Sequence, residues 1–125
     1  MFDTYVGTTS GLYRLRDGRP EPLGLEAERI WAVHAFADDG ATVLLAGSYG
    51  NGLYRSADDG RSWSRVDDGL TASAFRCIGV DPLDDGAILA GTEPARIFRS
   101  RDGGRRWREL DGIARIEGHE RWFLP

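Results

Sequence analysis

An all-β fold made of repeated four-stranded antiparallel units is the class this sequence predicts, and three observations predict it. The stretch Ser56-Ala57-Asp58-Asp59-Gly60-Arg61-Ser62-Trp63 has the form S-x-D-x-G-x-x-W. It returns as Ser100-Arg101-Asp102-Gly103-Gly104-Arg105-Arg106-Trp107, with every fixed position displaced by 44 residues. The upstream residues return as well. Ala46-Gly47-Ser48 and Leu53-Tyr54-Arg55 match Ala90-Gly91-Thr92 and Ile97-Phe98-Arg99, and Val6-Gly7-Thr8 with Leu12-Tyr13-Arg14 is a weaker third copy. Between these markers lie short runs rich in β-branched and aromatic residues, bounded by Gly, Asp and Pro, with no helical periodicity of useful length. A period of roughly 40–45 residues made of short strands is the signature of β-propeller blades. About three blades are therefore expected, over 1–24, 25–69 and 70–112, with 113–125 opening a further repeat.

The elements follow from local chemistry. Residues 2–8 read as a strand and Thr9-Ser10-Gly11 as its turn, with residues 12–15 as the next strand. Asp17 and Gly18 turn the chain again, in register with the second repeat at Asp58, and Pro20 and Pro22 confine the following segment to a sheet edge. The second repeat reads as strands at 30–36, 42–47, 53–56 and 63–66, and the third as strands at 75–80, 87–92, 96–99 and 107–110. Val43-Leu44-Leu45-Ala46 is continuously apolar, as expected of a strand covered on both faces. The first repeat has no counterpart of residues 30–36, so it starts at its second strand.

Composition narrows the function classes. Of 125 residues 41% are hydrophobic and 29% charged, which fits a folded globular chain. All 16 basic residues are arginine, and the net charge of −4 argues against a general nucleic-acid surface. No apolar run approaches the ~20 residues of a membrane span, and the N-terminus lacks signal-peptide regions, so a cytoplasmic location is expected. The single cysteine, Cys77, excludes an intrachain disulfide framework and reads as a small core residue within a strand. Closed propellers need about 4–8 blades. The remaining blades are expected from sequence beyond Pro125 or from self-association.

The repeated turn has a physical reading as scaffold. Asp58 and Asp102 are placed to accept turn N–H groups, and Ser56 and Ser100 to tie turn to strand. Gly60 and Gly104 supply positive φ, while Trp63 and Trp107 offer large rings for burial between blades. Metal binding is not expected, because the further oxygen ligands of a calcium loop are missing from the spacing; no cofactor is indicated. These turns resemble Asp-box repeats, also called bacterial neuraminidase repeats. The family includes sialidases, some xyloglucan-degrading glycosidases, sortilin-type receptor propellers and photosystem assembly factors. The resemblance implies a β-propeller and no particular reaction.

In a meander the repeated turn joins strands three and four, so it faces away from the loops between strands two and three. Those loops form the rim on which a ligand is expected. Tyr49, Asn51, Arg76, Glu93 and Arg96 are the main rim candidates, with Thr9, Ser10, Trp31, Arg121 and Trp122 beside them. Arginine with aromatic rings suits a carbohydrate or protein ligand. The catalytic set of a sialidase is not visible, since the arginine-isoleucine-proline motif is missing and Tyr5, Tyr13, Tyr49 and Tyr54 mostly hold repeated strand positions. Glu93 is the best acid for a glycoside hydrolase, set against its reading as a solvated partner of Arg96. His34 reads as a hydrogen-bonded core histidine, and His119 does not stand in a zinc-helix motif. The expectation is a non-catalytic binding scaffold, with part of a sialidase-like or other glycoside hydrolase as the alternative.

Overall fold

The computed structural model describes residues 3–122. Its strands form three antiparallel sheets in chain order. The first sheet contains β1 (Thr4–Thr8), β2 (Gly11–Arg16) and β3 (Arg19–Pro22). The second contains β4 (Ile30–Asp38), β5 (Ala41–Ser48), β6 (Leu53–Ser56) and β7 (Ser64–Val66). The third contains β8 (Ala74–Val80), β9 (Ile88–Glu93), β10 (Arg96–Ser100) and β11 (Arg108–Leu110). The chain is thus nearly all β, in antiparallel meanders of the kind that make propeller blades. Among the described residues the first sheet has no strand in the place of β4 and β8, and its proline-bearing β3 is an exposed edge.

Register makes the three sheets superimposable position by position. Gly7 pairs with Leu12, Gly47 with Leu53, and Gly91 with Ile97. Two residues along, Tyr5 pairs with Arg14, Leu45 with Arg55, and Leu89 with Arg99. Because side chains alternate along a strand, these residues share one face of each sheet, the face turned toward the next sheet in the chain.

The core lies between the sheets. Leu12, Leu23, Ile30, Leu44 and Ala46 fill the first gap. Leu45, Leu53, Phe75, Ile88, Ala90, Phe98 and Trp107 fill the second. Neighbours Leu44 and Leu45 feed opposite gaps, which explains the unbroken apolar run of β5. Contact at the glycines is close: a Cβ on Gly47 would lie 2.6 Å from Cβ of Phe75, and one on Gly7 would lie 2.5 Å from the Ile30 carbonyl oxygen. Each of these glycines is a hole that receives the large apolar residue of the following sheet.

Several expectations are corrected here. The register of β4 shifts between Ile30 and Ala32, and that of β8 between Phe75 and Cys77. Trp31 and Arg76 are therefore the extra residues of two bulges. A bulge re-phases the side chains beyond it, so Cys77 joins the outward face of the third sheet and is exposed rather than in the core. Ala32, its equivalent on β4, is buried because the third sheet covers it. Asp17 and Gly18 both take positive φ in a two-residue hairpin that pairs Arg16 with Arg19, and this turn is shorter than the repeated one. The tail, where a further repeat is expected over 113–125, has two short 3-10 turns at Ile113–Arg115 and His119–Arg121 among its described residues; the rest of that range lies outside them, and the expectation is left open. No helix of the described residues is long and apolar enough to cross a membrane.

Candidate functional site

The two ends of the sheets carry different chemistry. At one end the repeated turns close the same hydrogen-bond set twice. Ser56 Oγ donates to Asp58 Oδ1 at 2.8 Å and accepts from Gly60 N at 2.8 Å; Ser100 does the same with Asp102 and Gly104, at 2.9 Å each. Asp58 Oδ1 accepts from Ser62 N at 2.9 Å and Oδ2 from Ser62 Oγ. Asp102 accepts from the backbone N of Arg105 and Arg106 and from Arg106 Nε. Both carboxyls lie at about 2. For Asp58 the cause is the hydrogen bonding by the Ser62 hydroxyl and N–H and by Ser56. For Asp102 partial burial opposes ionisation and is outweighed by the Arg106 N–H, its guanidinium, Ser100 and the Arg105 N–H. These oxygens are committed to the turn.

The tryptophans of the two turns, both read as rings for burial between blades, are covered to different degrees. Trp107 is 5% exposed, and its Nε1 donates to the Gly104 carbonyl at 3.0 Å. Trp63 is half-buried, and its Nε1 donates to Leu23 O at 2.8 Å, tying the second sheet to the first.

An arginine clamp, which the sequence reading did not assign, joins sheet to sheet at this end. Arg14 of β2 reaches the next repeated turn, its guanidinium on the Asp59 carboxylate and 3.3 Å from the Asp59 carbonyl oxygen. Tyr5, half-buried beside it, donates to Asp59 at 2.9 Å, and burial followed by that bond pushes its hydroxyl up to about 12. Arg55 of β6 is buried and donates Nε to the Gly103 carbonyl at 2.9 Å, and burial lowers its pKa. Asp59 and Gly103 hold the same place in the two turns, with φ of 59° and 75°. The recurrence of arginine in Tyr13-Arg14, Tyr54-Arg55 and Phe98-Arg99 is the signal that marks this contact.

At the opposite end the structure brings Trp31, Tyr49, Arg76 and Glu93 together across the gap between the second and third sheets. Tyr49 follows β5, bridges to Ala74, and exposes its ring. The guanidinium of Arg76 lies 4.6 Å from the centroid of Trp31 and 5.0 Å from that of Tyr49. Both nitrogens Nε and Nη2 of Arg76 donate to Glu93 Oε2, as does Tyr49 Oη at 3.3 Å. The rings of Trp31 and Tyr49 stand 5.3 Å apart, and Trp31 is 51% exposed. Bulging has aimed Trp31 and Arg76 out of strand alternation and toward each other.

Other rim candidates lie elsewhere. Asn51 donates to Glu28 at 2.8 Å, in a cluster with the Tyr54 hydroxyl. Arg96 pairs with Glu109 at 2.9 Å rather than with Glu93. Thr9 and Ser10 are exposed at the tip of the first sheet and apart from the cluster. Trp122 borders a cavity of about 260 Å³ that opens beside Arg76 and Glu93. His34 is half-buried and stacked on Phe36, and its Nε2 is buried with no hydrogen-bond partner among the described residues, so the expected core hydrogen bond at that atom is not formed. Burial lowers its pKa. No group of three or more His, Cys, Asp and Glu side chains suited to a metal occurs among the described residues.

No protein-family model and no curated protein matches the chain. Solved structures match its fold. One is YCF48 bound to D1 peptide, with a TM-score of 0.60 and 24% identity over 86% of this chain and 36% of that one. Another is an ancestral GH74 enzyme, with a TM-score of 0.69 and 18% identity over 88% of this chain and 17% of that one. At these identities the likeness is one of fold. The chain spans about a third of the first structure and about a sixth of the second.

Proposed function

We propose that this chain is a binding scaffold of the Asp-box propeller type, whose ligand, a peptide segment of a partner protein, rests on the rim formed by Trp31, Tyr49, Arg76 and Glu93. The observation that carries the reading is the state of the cluster's charges. Arg76 and Glu93 are engaged with each other and with Tyr49, leaving an ordered aromatic ledge beside a neutralised ion pair. Exposed, pre-ordered aromatic rings with a polar margin are the usual energetic centre of a protein-binding surface. Glycoside hydrolysis calls for two carboxyl groups about 5–9.5 Å apart, and this cluster brings one. The comparison with YCF48, whose structure holds a peptide, supports a peptide ligand.

The test is binding measured by calorimetry against a panel of partner-derived peptides and, separately, xyloglucan fragments and sialosides, with wild type and Trp31→Ala. Peptide affinity that falls at least about tenfold in Trp31→Ala, the scale of an interface anchor, supports the reading. The hydrolase alternative has its own signature: turnover of aryl glycosides that is lost in Glu93→Gln and kept in Asp58→Asn. That result would overturn the scaffold reading.

A further inference from the structure

The arginine clamp between the second and third sheets repeats the one between the first and second with a charge missing. In the first gap Arg14 is 5% exposed and meets three carboxylates: it donates to Asp59 and lies 3.5 Å from Glu21 and 3.6 Å from Asp3. In the second gap Arg55 is 8% exposed, and its guanidinium makes one hydrogen bond among the described residues, from Nε to the Gly103 carbonyl at 2.9 Å. Its Nη2 is buried with no hydrogen-bond partner there, and no ion pair reaches it among those residues. A buried cation without a counter-charge is costly. The difference between the two gaps comes from one position of the repeat, where Gly103 stands in place of Asp59.

The backbone of the later turn keeps the form that presents a carboxylate. Asp59 and Gly103 share the left-handed conformation, with φ of 59° and 75°. A Cβ on Gly103 would lie 3.5 Å from Arg55 Nη2, 3.6 Å from Arg105 Nη1 and 3.6 Å from Phe36 Cζ. These are ordinary contact distances, so two guanidinium groups converge on the point from which Asp59 extends its side chain in the other turn. Arg105 is exposed, and its Nη1 donates to the Asp102 carbonyl at 3.0 Å, a bond that water can replace. Asp38 and Asp102 are the carboxylates that act on Arg55, and neither pairs with it: Asp102 is bound within its own turn, and Asp38 is exposed at the end of β4. Burial, followed by the Arg105 charge, lowers the Arg55 pKa against the pull of those two.

We infer that Arg55 and Arg105 form a binding site for a small oxyanion, a carboxylate or phosphate ion, at the position that the Asp59 side chain holds in the preceding turn. Arg55 Nη2 and Arg105 Nη1 donate to the ion, and the Phe36 ring forms its apolar wall. Guanidinium groups suit the paired oxygens of such an ion. The ion is free rather than part of a polypeptide, because Nη2 is fully covered in the gap between two sheets, where a swing of the exposed Arg105 side chain admits an ion and not a chain. Once bound, it ties the second sheet to the turn of the third, as Asp59 ties the second sheet's turn to the first.

Thermal unfolding of the intact chain tests this, with sodium acetate and sodium phosphate each exchanged for sodium chloride at constant ionic strength. The wild-type midpoint is expected to rise and level off with at least one of them, by about 4 °C at tenfold excess over half-saturation. A plateau with acetate marks the site as one for planar carboxylates, and a plateau with phosphate as one for tetrahedral ions. Gly103→Asp brings its own carboxylate. It unfolds above wild type without either ion and shows only the gradual, unsaturating salt effect common to proteins. Gly103→Asn takes the same left-handed backbone without the charge and unfolds below Gly103→Asp. Arg105→Ala keeps the wild-type far-ultraviolet circular dichroism and loses most of the saturable rise. A wild-type response to both ions equal to that of Gly103→Asp would overturn the inference. So would a Gly103→Asp variant no more stable than Gly103→Asn, or a response undiminished in Arg105→Ala.

Discussion

Replacing Trp107 by alanine is the sharpest test of how the blades hold together. The indole is 5% exposed, lies in the cluster with Leu45, Phe75 and Phe98, and donates Nε1 to Gly104 O at 3.0 Å. A tryptophan of this burial removes about 200 Å² from water, and at ~25 cal/mol/Å² this is worth about 5 kcal/mol as an upper bound. Residual compaction of the unfolded chain trims that by roughly 10–40%, and loss of a neutral hydrogen bond adds about 1 kcal/mol. The sum falls at about 4–5 kcal/mol, inside the ~3–5 kcal/mol range for emptying a buried aromatic site. Trp63→Ala, at the same position of the preceding repeat, costs less, because its ring is less completely covered. Urea unfolding followed by far-ultraviolet circular dichroism reads both without depending on indole emission. A Trp107→Ala loss under about 1 kcal/mol, or losses equal for the two tryptophans, would refute the packing argument.

Acid should loosen the repeated turns. Asp58 and Asp102 ionise at about 2 in the folded chain against an ordinary 3.8, so their contribution is fully present above pH ~4 and is lost as pH falls toward 2. The Asp58→Asn, Asp102→Asn double variant flattens that slope in an unfolding series over pH 2–5; an unchanged slope would show that these carboxyls do not carry it. Gly47→Ala forces a Cβ to 2.6 Å from Phe75, too close for any side-chain contact, and is expected to cost about 1–3 kcal/mol by overpacking. A stability equal to wild type in thermal unfolding would mean that the second and third sheets are not in the contact described. Tyr5→Phe removes the 2.9 Å bond to Asp59 and should cost about 1 kcal/mol, whereas Tyr13→Phe, whose ring lies on the opposite face of β1 and β2, should be neutral in the same assay.

Much of the architecture was legible because it is local. The 44-residue displacement of S-x-D-x-G-x-x-W located the turns, and aspartate and serine close those turns on atoms two to four residues away. Apolar runs and turn residues placed the strands to within one or two positions. The rim cluster was legible only in part. Trp31, Tyr49, Arg76 and Glu93 were all named for the rim, but their association depends on two bulges that no residue pattern announces. Asn51 and Arg96 share the rim by topology and are drawn to Glu28 and Glu109 by charges on neighbouring strands.

Sequence alone therefore determined the strand order, the repeat and the chemistry of the turns, since each is settled by backbone preference and spacing within a few residues. Tertiary structure alone decided which side chains are covered. Cys77 and Ala32 occupy equivalent positions, yet one is exposed and the other buried, because only Ala32 has a sheet laid over it. Arg14 and Arg55 find their turns 45 and 48 residues away, while Arg99, at the same place in its own strand, has no such turn among the described residues. Burial belongs to the neighbour as much as to the residue, and the neighbour is set by how sheets stack.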